Sequence, residues 1–373
     1  MTFPLGPFHP ALTEPISLQF ALRGEMVTGV ETHTGYLHRG VTTLATQSDL
    51  ATTLDLVERL CGSCGHSHRL ALCLALEAHA QIVPPPRAQA IRMLFAEVER
   101  ALSRLWLLMQ LGRISGIGTL FTAAVEAREM LFEGCVTATE NRLFWGVAIP
   151  GGAVNVADPE AFADTVADVN ARLVAVDRLF AANGALTQRT AGIGKIMPAT
   201  AEELGLTGLV LRATGLDAAD VRVTQPYEAY ADFADALADD DTPTIPLFGD
   251  VASRARLALA ELRVSLRLIL AILDDLPTGQ EQVTFPMTLA PGTVSATVEG
   301  PHGSETLTVT VGANINGGQL ADLSRVGWLQ SLTIQTPSAT NIGIVPIVLH
   351  KQQLNDVPLV FASLDLCLAC VDQ

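Results

Sequence analysis

Residues 59–68 read Arg59-Leu60-Cys61-Gly62-Ser63-Cys64-Gly65-His66-Ser67-His68, and residues 365–373 read Asp365-Leu366-Cys367-Leu368-Ala369-Cys370-Val371-Asp372-Gln373. Each stretch carries a Cys-x-x-Cys pair, and nearly the whole chain lies between them. A fold that uses both pairs at one point must bring its two ends together. Four converging thiolates make a soft, anionic donor set, suited to nickel, iron, zinc or an iron–sulfur cluster and poorly suited to magnesium or calcium. Structural zinc usually draws its ligands from short, locally folded segments, so the wide separation speaks for a catalytic centre. The chain reads as a metal protein whose metal site is closed by both chain ends.

Outward from the first pair, the pattern is helical. Asp49 or Thr52 can cap a helix running into Cys61, and another helix is expected from about Ser67 to His79, stopped by Pro84-Pro85-Pro86. From Arg87 onward, Ile91, Leu94, Phe95, Val98, Leu102, Leu105 and Met109 recur at steps of three and four, the stripe of a long amphipathic helix. Further long helices are expected from the Asp158-Pro159 cap to near Asn183-Gly184, and from about Val251 to Leu273 ahead of Pro277. Residues 16–34 alternate like a hairpin about Arg23-Gly24-Glu25, and β-branched runs return at 294–298, 307–311 and 332–335.

The expected fold class is therefore α+β and mainly helical, a central bundle of long helices with small N-terminal and C-terminal antiparallel sheets. With no low-complexity linker or internal repeat, the 373 residues read as one unit. Residues 1–48 form a small β lobe, 49–280 a helical core and 281–373 a β-containing C-terminal lobe. Cys73 and Cys135 match no motif and read as core packing on expected helices.

Composition narrows the function. The formal net charge of −16 argues against nucleic acid as a partner, because phosphate binding needs a basic surface. Apolar residues make up 49% and charged residues only 17%, enough for a large core with apolar surface left over for a partner. Arg113 interrupts the run Leu105 to Phe121, and Arg267, Asp274 and Asp275 interrupt Leu266 to Leu276, so no stretch reads as a membrane span. The start, Met-Thr-Phe-Pro-Leu-Gly-Pro, lacks the basic and apolar regions of a signal peptide. A cytoplasmic address is expected, where Cys-x-x-Cys pairs are ligands or redox groups rather than disulfides. Around the first pair, a helix N-terminus together with Arg59, His66, His68 and Arg69 is expected to favour thiolates.

Cys61-Gly-Ser-Cys64 with His68, paired with Asp365-x-Cys367-x-x-Cys370, resembles the large subunit of NiFe hydrogenases. Gly6-Pro-Phe-His-Pro-Ala11 with Glu14-Pro15, Gly35-Tyr-Leu-His-Arg-Gly40, Pro150-Gly-Gly152, Arg212-Ala-Thr-Gly215 and Pro226-Tyr227 are similar to the membrane-associated, energy-converting branch, itself similar to the quinone-site subunit of respiratory complex I. The resemblance runs from residue 6 to residue 373. It implies a nickel–iron centre with carbonyl and cyanide on the iron, held terminally by Cys61 and Cys367 and through bridging sulfurs by Cys64 and Cys370. It further implies that Glu14 relays the proton released beside a terminal cysteine, with Cys367 as the proton acceptor. His68, Arg59 and Asp365 would then support the ligand loops, as would His38-Arg39. Without the resemblance, Glu14 reads as a solvated turn residue and His68 as a histidine at a helix start.

No cysteine set remains for an electron-carrying cluster, so the resemblance implies a small subunit with a 4Fe–4S cluster. It also implies complex I-like membrane subunits that hold the chain on the inner face of the cytoplasmic membrane, and maturation proteins that insert the metals. Three positions depart from the family pattern. Thr42 stands where a glutamate is usual, Gln373 where the mature C-terminus usually has histidine or arginine, and His302 of Pro301-His302-Gly303 where hydrogenases generally carry arginine over the open metal position. Thr42 and Gln373 are expected to replace a charged contact by a hydrogen-bonded one. His302 is shorter than arginine and titrates near neutrality, so turnover could be altered. The rival readings are a hydrogenase-like electron-transfer subunit without H2 turnover and a zinc-stapled assembly protein.

Overall fold

The computed structural model describes residues 1–216, 220–237, 247–312 and 320–373. Near the N-terminus, Thr2–Leu5, Ser17–Arg23 and Met26–His33 pair antiparallel in that order. The second and third strands are the expected hairpin, turning at Gly24 in a left-handed conformation, with Ile16, Leu18, Phe20 and Val27 buried. The first strand was not foreseen. It carries Pro4, which an edge strand tolerates because its outward N–H has no ladder partner.

Helices Pro86–Ser115, Gly118–Thr139, Pro159–Leu173 and Val251–Asp274 pack against one another as the central bundle. Proline at the first turn opens the first and third of these helices. Asp158 accepts from the Ala161 N–H at 3.0 Å, and Asp250 caps the last helix by accepting from the Ser253 N–H at 2.8 Å. The 86–115 stripe is buried as expected, but so is the opposite face, where Arg92, Glu97, Glu99, Arg100 and Arg104 lie inside the protein. An all-round buried helix can carry charges only if they are paired. Arg92 pairs with Glu77 and Glu228, Glu97 with Arg222, and Arg104 with Glu261 and Asp365.

The helix expected from 159 to 183 stops at Leu173 and breaks into a 3-10 turn, Val174–Val176, and a short helix, Asp177–Phe180. Two valines crowd the preceding turn at the break. The chain then doubles back so closely that a Cβ on Gly184 would lie 2.3 Å from the Arg178 carbonyl oxygen.

Toward the C-terminus, strands Leu329–Gln335, Gly303–Val311 and Gly292–Gly300 form a second antiparallel sheet in that order. Gly300 pairs with Gly303, so Pro301 and His302 form the tip of a two-residue hairpin. This sheet packs on helix Gly65–Ala80, giving a second apolar core that includes Cys73, while Cys135 sits in the helical core. Burial pushes both thiols up to about 12. Among the described residues no helix is long and apolar enough to cross a membrane.

Candidate metal centre

Helix Leu50–Glu58, capped by Asp49 through the Thr52 N–H at 2.8 Å, delivers the chain to Cys61. Cys64 immediately precedes helix Gly65–Ala80, and helix Val357–Ser363 leads to the second pair. Cys61, Cys64, Cys367 and Cys370 are all buried, and their Sγ atoms lie within 4.8 Å of one another. Cys61 Sγ is 2.8 Å from Cys64 Sγ, which is 3.2 Å from Cys370 Sγ. Four soft donors from two distant segments thus meet at one point.

The charge balance of the cluster fits a cation. Hydrogen bonds from Cys367, Cys370 and Cys64 hold the Cys61 thiol well below its ordinary range, and the Ser63 and Cys64 N–H groups donate to its sulfur at 3.2 Å each. Burial pushes Cys64 up, and its hydrogen bond with Cys367 pushes Cys370 up. Four thiolates can coexist in this dry site only around a positive centre. The donor set therefore suits a thiolate-bound metal such as nickel–iron or zinc.

Two buried ion pairs hold the ligand loops. His68 stands with Nε2 3.4 Å from Cys370 Sγ and Nδ1 2.6 Å from Glu305. Burial opposes its charge, but Glu305 outweighs burial and raises its pKa well above the ordinary value. Asp365, in a left-handed conformation at φ 53°, is bound at 2.5 Å by Arg104, which also donates to the Pro301 carbonyl. His302 Nδ1 lies 3.1 Å from the same Asp365 oxygen but outside hydrogen-bonding angles, and its Nε2 is 3.4 Å from Ser63 Oγ. Burial lowers its affinity for a proton, yet Asp365 outweighs this and raises its pKa.

Glu14 reaches the second pair by accepting from the Leu368 N–H. With Cys367, His302, Asp365 and Gln110 it lines a cleft of about 440 Å³. Burial raises its pKa against the opposing hydrogen bond from Leu368. Here the structure brings together Glu14, His302, Asp365 and Cys367, which sequence reasoning had chosen separately.

Other placements differ from expectation. The helix-start N–H groups of His66 and Ser67 donate to the Glu99 carboxylate at 2.7 and 3.0 Å, not to thiolates. His66 is held neutral, its pKa lowered by burial to about 4, and Arg69 is engaged with Glu58 and Asp55. Arg59 turns outward to Asp55 and over the Trp145 ring at 4.5 Å, while Arg39 donates to the Leu60 carbonyl. Gln373 donates both amide N–H groups to the Ile334 and Cys370 carbonyls at 2.7 and 3.0 Å, and no hydrogen bond joins it to Thr42 among the described residues. The carbonyls at the chain end need donors, and the amide serves them.

Several supporting residues were not foreseen. Asp372 accepts from the Gly35 and Leu37 N–H groups at 2.7 and 2.8 Å, and its carbonyl meets His38 Nδ1 at 2.8 Å. That clasp ties the N-terminal loop to the chain end. Ser338 Oγ accepts from the Cys367 N–H, and Thr336 donates to the Cys370 carbonyl. Arg104 lies off the apolar stripe of the 86–115 helix and, like Asp372, Ser338 and Thr336, carries no local signal of its role.

Comparison with known proteins matches residues 115–373 to the family of the respiratory-chain NADH dehydrogenase 49 kDa subunit. The carbon monoxide-induced hydrogenase of Rhodospirillum rubrum is 30% identical over 379 residues, covering 100% of this chain and 99% of the relative. An NADH-quinone oxidoreductase subunit of Rhizobium etli is 34% identical over 288 residues, 76% of this chain and 69% of the relative. The membrane-bound hydrogenase subunit alpha of Pyrococcus furiosus is 27% identical over 383 residues, 99% of this chain and 87% of the relative.

Proposed function

The chain belongs to the family of the respiratory-chain NADH dehydrogenase 49 kDa subunit and is similar to hydrogenase and quinone oxidoreductase subunits alike, and from that premise we propose that it is the catalytic large subunit of an energy-converting NiFe hydrogenase. The observation that carries the reading is the buried four-cysteine cluster with the Glu14 cleft opening beside Cys367. Cys61, Cys64, Cys367 and Cys370 would hold the metals. When bound, a nickel–iron centre with carbonyl and cyanide on its iron supplies the means to split H2 into two protons and two electrons.

The protein's own groups then handle protons and position. Cys367, lining the same cleft as Glu14, is the sulfur from which a proton leaves. Glu14, its pKa raised by burial, takes that proton and passes it toward solvent. His68, held by Glu305, stands against Cys370 Sγ and steadies the thiolate. Arg104 and Asp365 fix the hairpin tip that carries His302 against the cleft. Electrons leave to a small subunit bearing a 4Fe–4S cluster, and membrane subunits hold the assembly at the cytoplasmic face.

The test is an infrared spectrum of the complex purified from its native host. Bands of iron-bound carbonyl and cyanide are expected. Their absence from an intact, metal-loaded complex would refute the reading and leave a hydrogenase-like electron-transfer subunit. That second reading draws support from His302 and Thr42, both departures from the hydrogenase pattern.

A further inference from the structure

A second cavity lies behind Cys61. About 20 Å³ of it admits the centre of a water molecule. Leu102, Phe132, Phe144 and Trp145 supply apolar wall, and Glu99 lines it as well. Trp106 and Ser63 line both this cavity and the Glu14 cleft, so they stand between the two.

Apolar walls alone would suggest a dry void, but three buried polar atoms argue otherwise. His66 Nδ1, Ser103 Oγ and Arg128 Nε all belong to lining residues, and none has a hydrogen-bond partner among the described residues. His66 and Ser103 are each only 1% exposed. Glu99 does not serve them: its oxygens accept from the His66 and Ser67 N–H groups and from the Ser67 hydroxyl at 2.5 Å, and none of the three atoms bonds to it. The Arg128 guanidinium lies over the Trp106 and Phe132 rings at 5.3 and 4.6 Å. Each such buried polar atom left unpaired costs about 1–3 kcal/mol.

The chemistry of the three atoms selects the ligand. His66 Nε2 lies 2.9 Å from the Arg92 carbonyl, which can only accept, so Nε2 carries the ring proton and Nδ1 offers a lone pair. Arg128 Nε can only donate, and Ser103 Oγ can do either. A bare anion fails at His66, and a nonpolar gas fails at all three. A small neutral molecule that both donates and accepts satisfies the set. A water site needs roughly 10–15 Å³ of such space and two to four polar partners, and the cavity meets both conditions.

We infer that the cavity behind Cys61 is a resident-water site for one or two molecules, held by His66, Ser103 and Arg128 and walled from the Glu14 cleft by Trp106. This wets the Cys61 side of the cluster independently of Glu14. It also removes this cavity as an entry for apolar gas, since a polar, hydrated pocket does not take up nonpolar atoms as a dry one does.

The test is a high-resolution cryo-EM or crystal structure of the assembled complex, with a parallel data set under xenon pressure. Water density within hydrogen-bonding distance of Ser103 Oγ and of at least one of the other two atoms, with no xenon peak, is expected. In Ser103→Val that density should weaken or vanish while the four-cysteine cluster stays in place. Xenon without water density in the wild-type cavity overturns the inference, as does water density unchanged by Ser103→Val. Neither readout depends on H2 turnover, so a failed infrared assignment and a failed water site remain distinguishable.

Discussion

Arg104 is the residue whose loss should be felt most strongly at the centre without touching a ligand. Its guanidinium is buried and donates to Asp365 at 2.5 Å, to Glu261 at 2.8 Å and to the Pro301 carbonyl. Arg104→Met keeps the volume and removes the charge, leaving the buried Asp365 carboxylate without its arginine, Glu261 with Arg212 alone, and the Pro301 carbonyl at the hairpin tip without its donor. Breaking a buried pair from one side costs about 3–5 kcal/mol. Unfolding entropy of about 2.1 cal/mol/K per residue over 373 residues gives about 0.8 kcal/mol/K, so Tm should fall by roughly 4–6 °C. Arg104→Lys keeps a charge but loses the fork and should recover only part of the loss. The assay is calorimetry or urea unfolding of the assembled protein. Adding Asp365→Asn to Arg104→Met should return much of the stability, because the carboxylate stranded by the first change is neutralised while Glu261 keeps Arg212. A loss below about 1 kcal/mol, or no rescue, would refute the ion-pair account.

Glu14→Gln should leave nickel and iron content unchanged while lowering H2 oxidation by about 10²–10⁴-fold, checked by metal analysis beside turnover; equal activity would remove Glu14 from the relay. Asp250→Ala should cost about 1–2 kcal/mol at pH 7 through the lost cap of helix Val251–Asp274. Burial raises the Asp250 pKa, but the hydrogen bonds from Gly192 and Ser253 prevail and depress it. Its contribution is therefore present above the ordinary carboxylate value and lost as pH falls through the depressed one, and the gap between wild type and variant in urea titrations should close under acid conditions. Gly208→Ala should destabilise by roughly 2 kcal/mol or more, since φ there is +65° and the new Cβ would lie 2.0 Å from the His302 carbonyl oxygen; a thermal melt matching wild type would contradict this packing.

Much of the architecture was legible because it rests on local rules. The Asp49 and Asp158 caps, the helix from about Val251, the 86–115 stripe and the β-branched C-terminal runs each follow from neighbours in sequence, and the structure has those elements starting nearly where they were expected. The failures share a cause. The 159–183 pattern looked continuous because periodicity does not register a chain that must double back at Gly184. The charged residues of the 86–115 helix looked solvent-facing because their partners, such as Arg222 and Asp365, lie more than a hundred residues away.

By itself the sequence determined the four-cysteine donor set, the mainly helical α+β class and the family. Spacing, composition and short-range pattern suffice for the first two, and the resemblance of the quoted motifs supplies the third. Only the tertiary structure decided that Glu14 meets the second pair, that Asp372 clasps the N-terminal loop, that His302 rides on a hairpin tip fixed by Arg104, and that His66 faces a cavity behind Cys61. Those contacts join residues tens to hundreds of positions apart. Their worth depends on burial, which strengthens each hydrogen bond and penalises each unpaired group, and no local window of sequence reports burial of that kind.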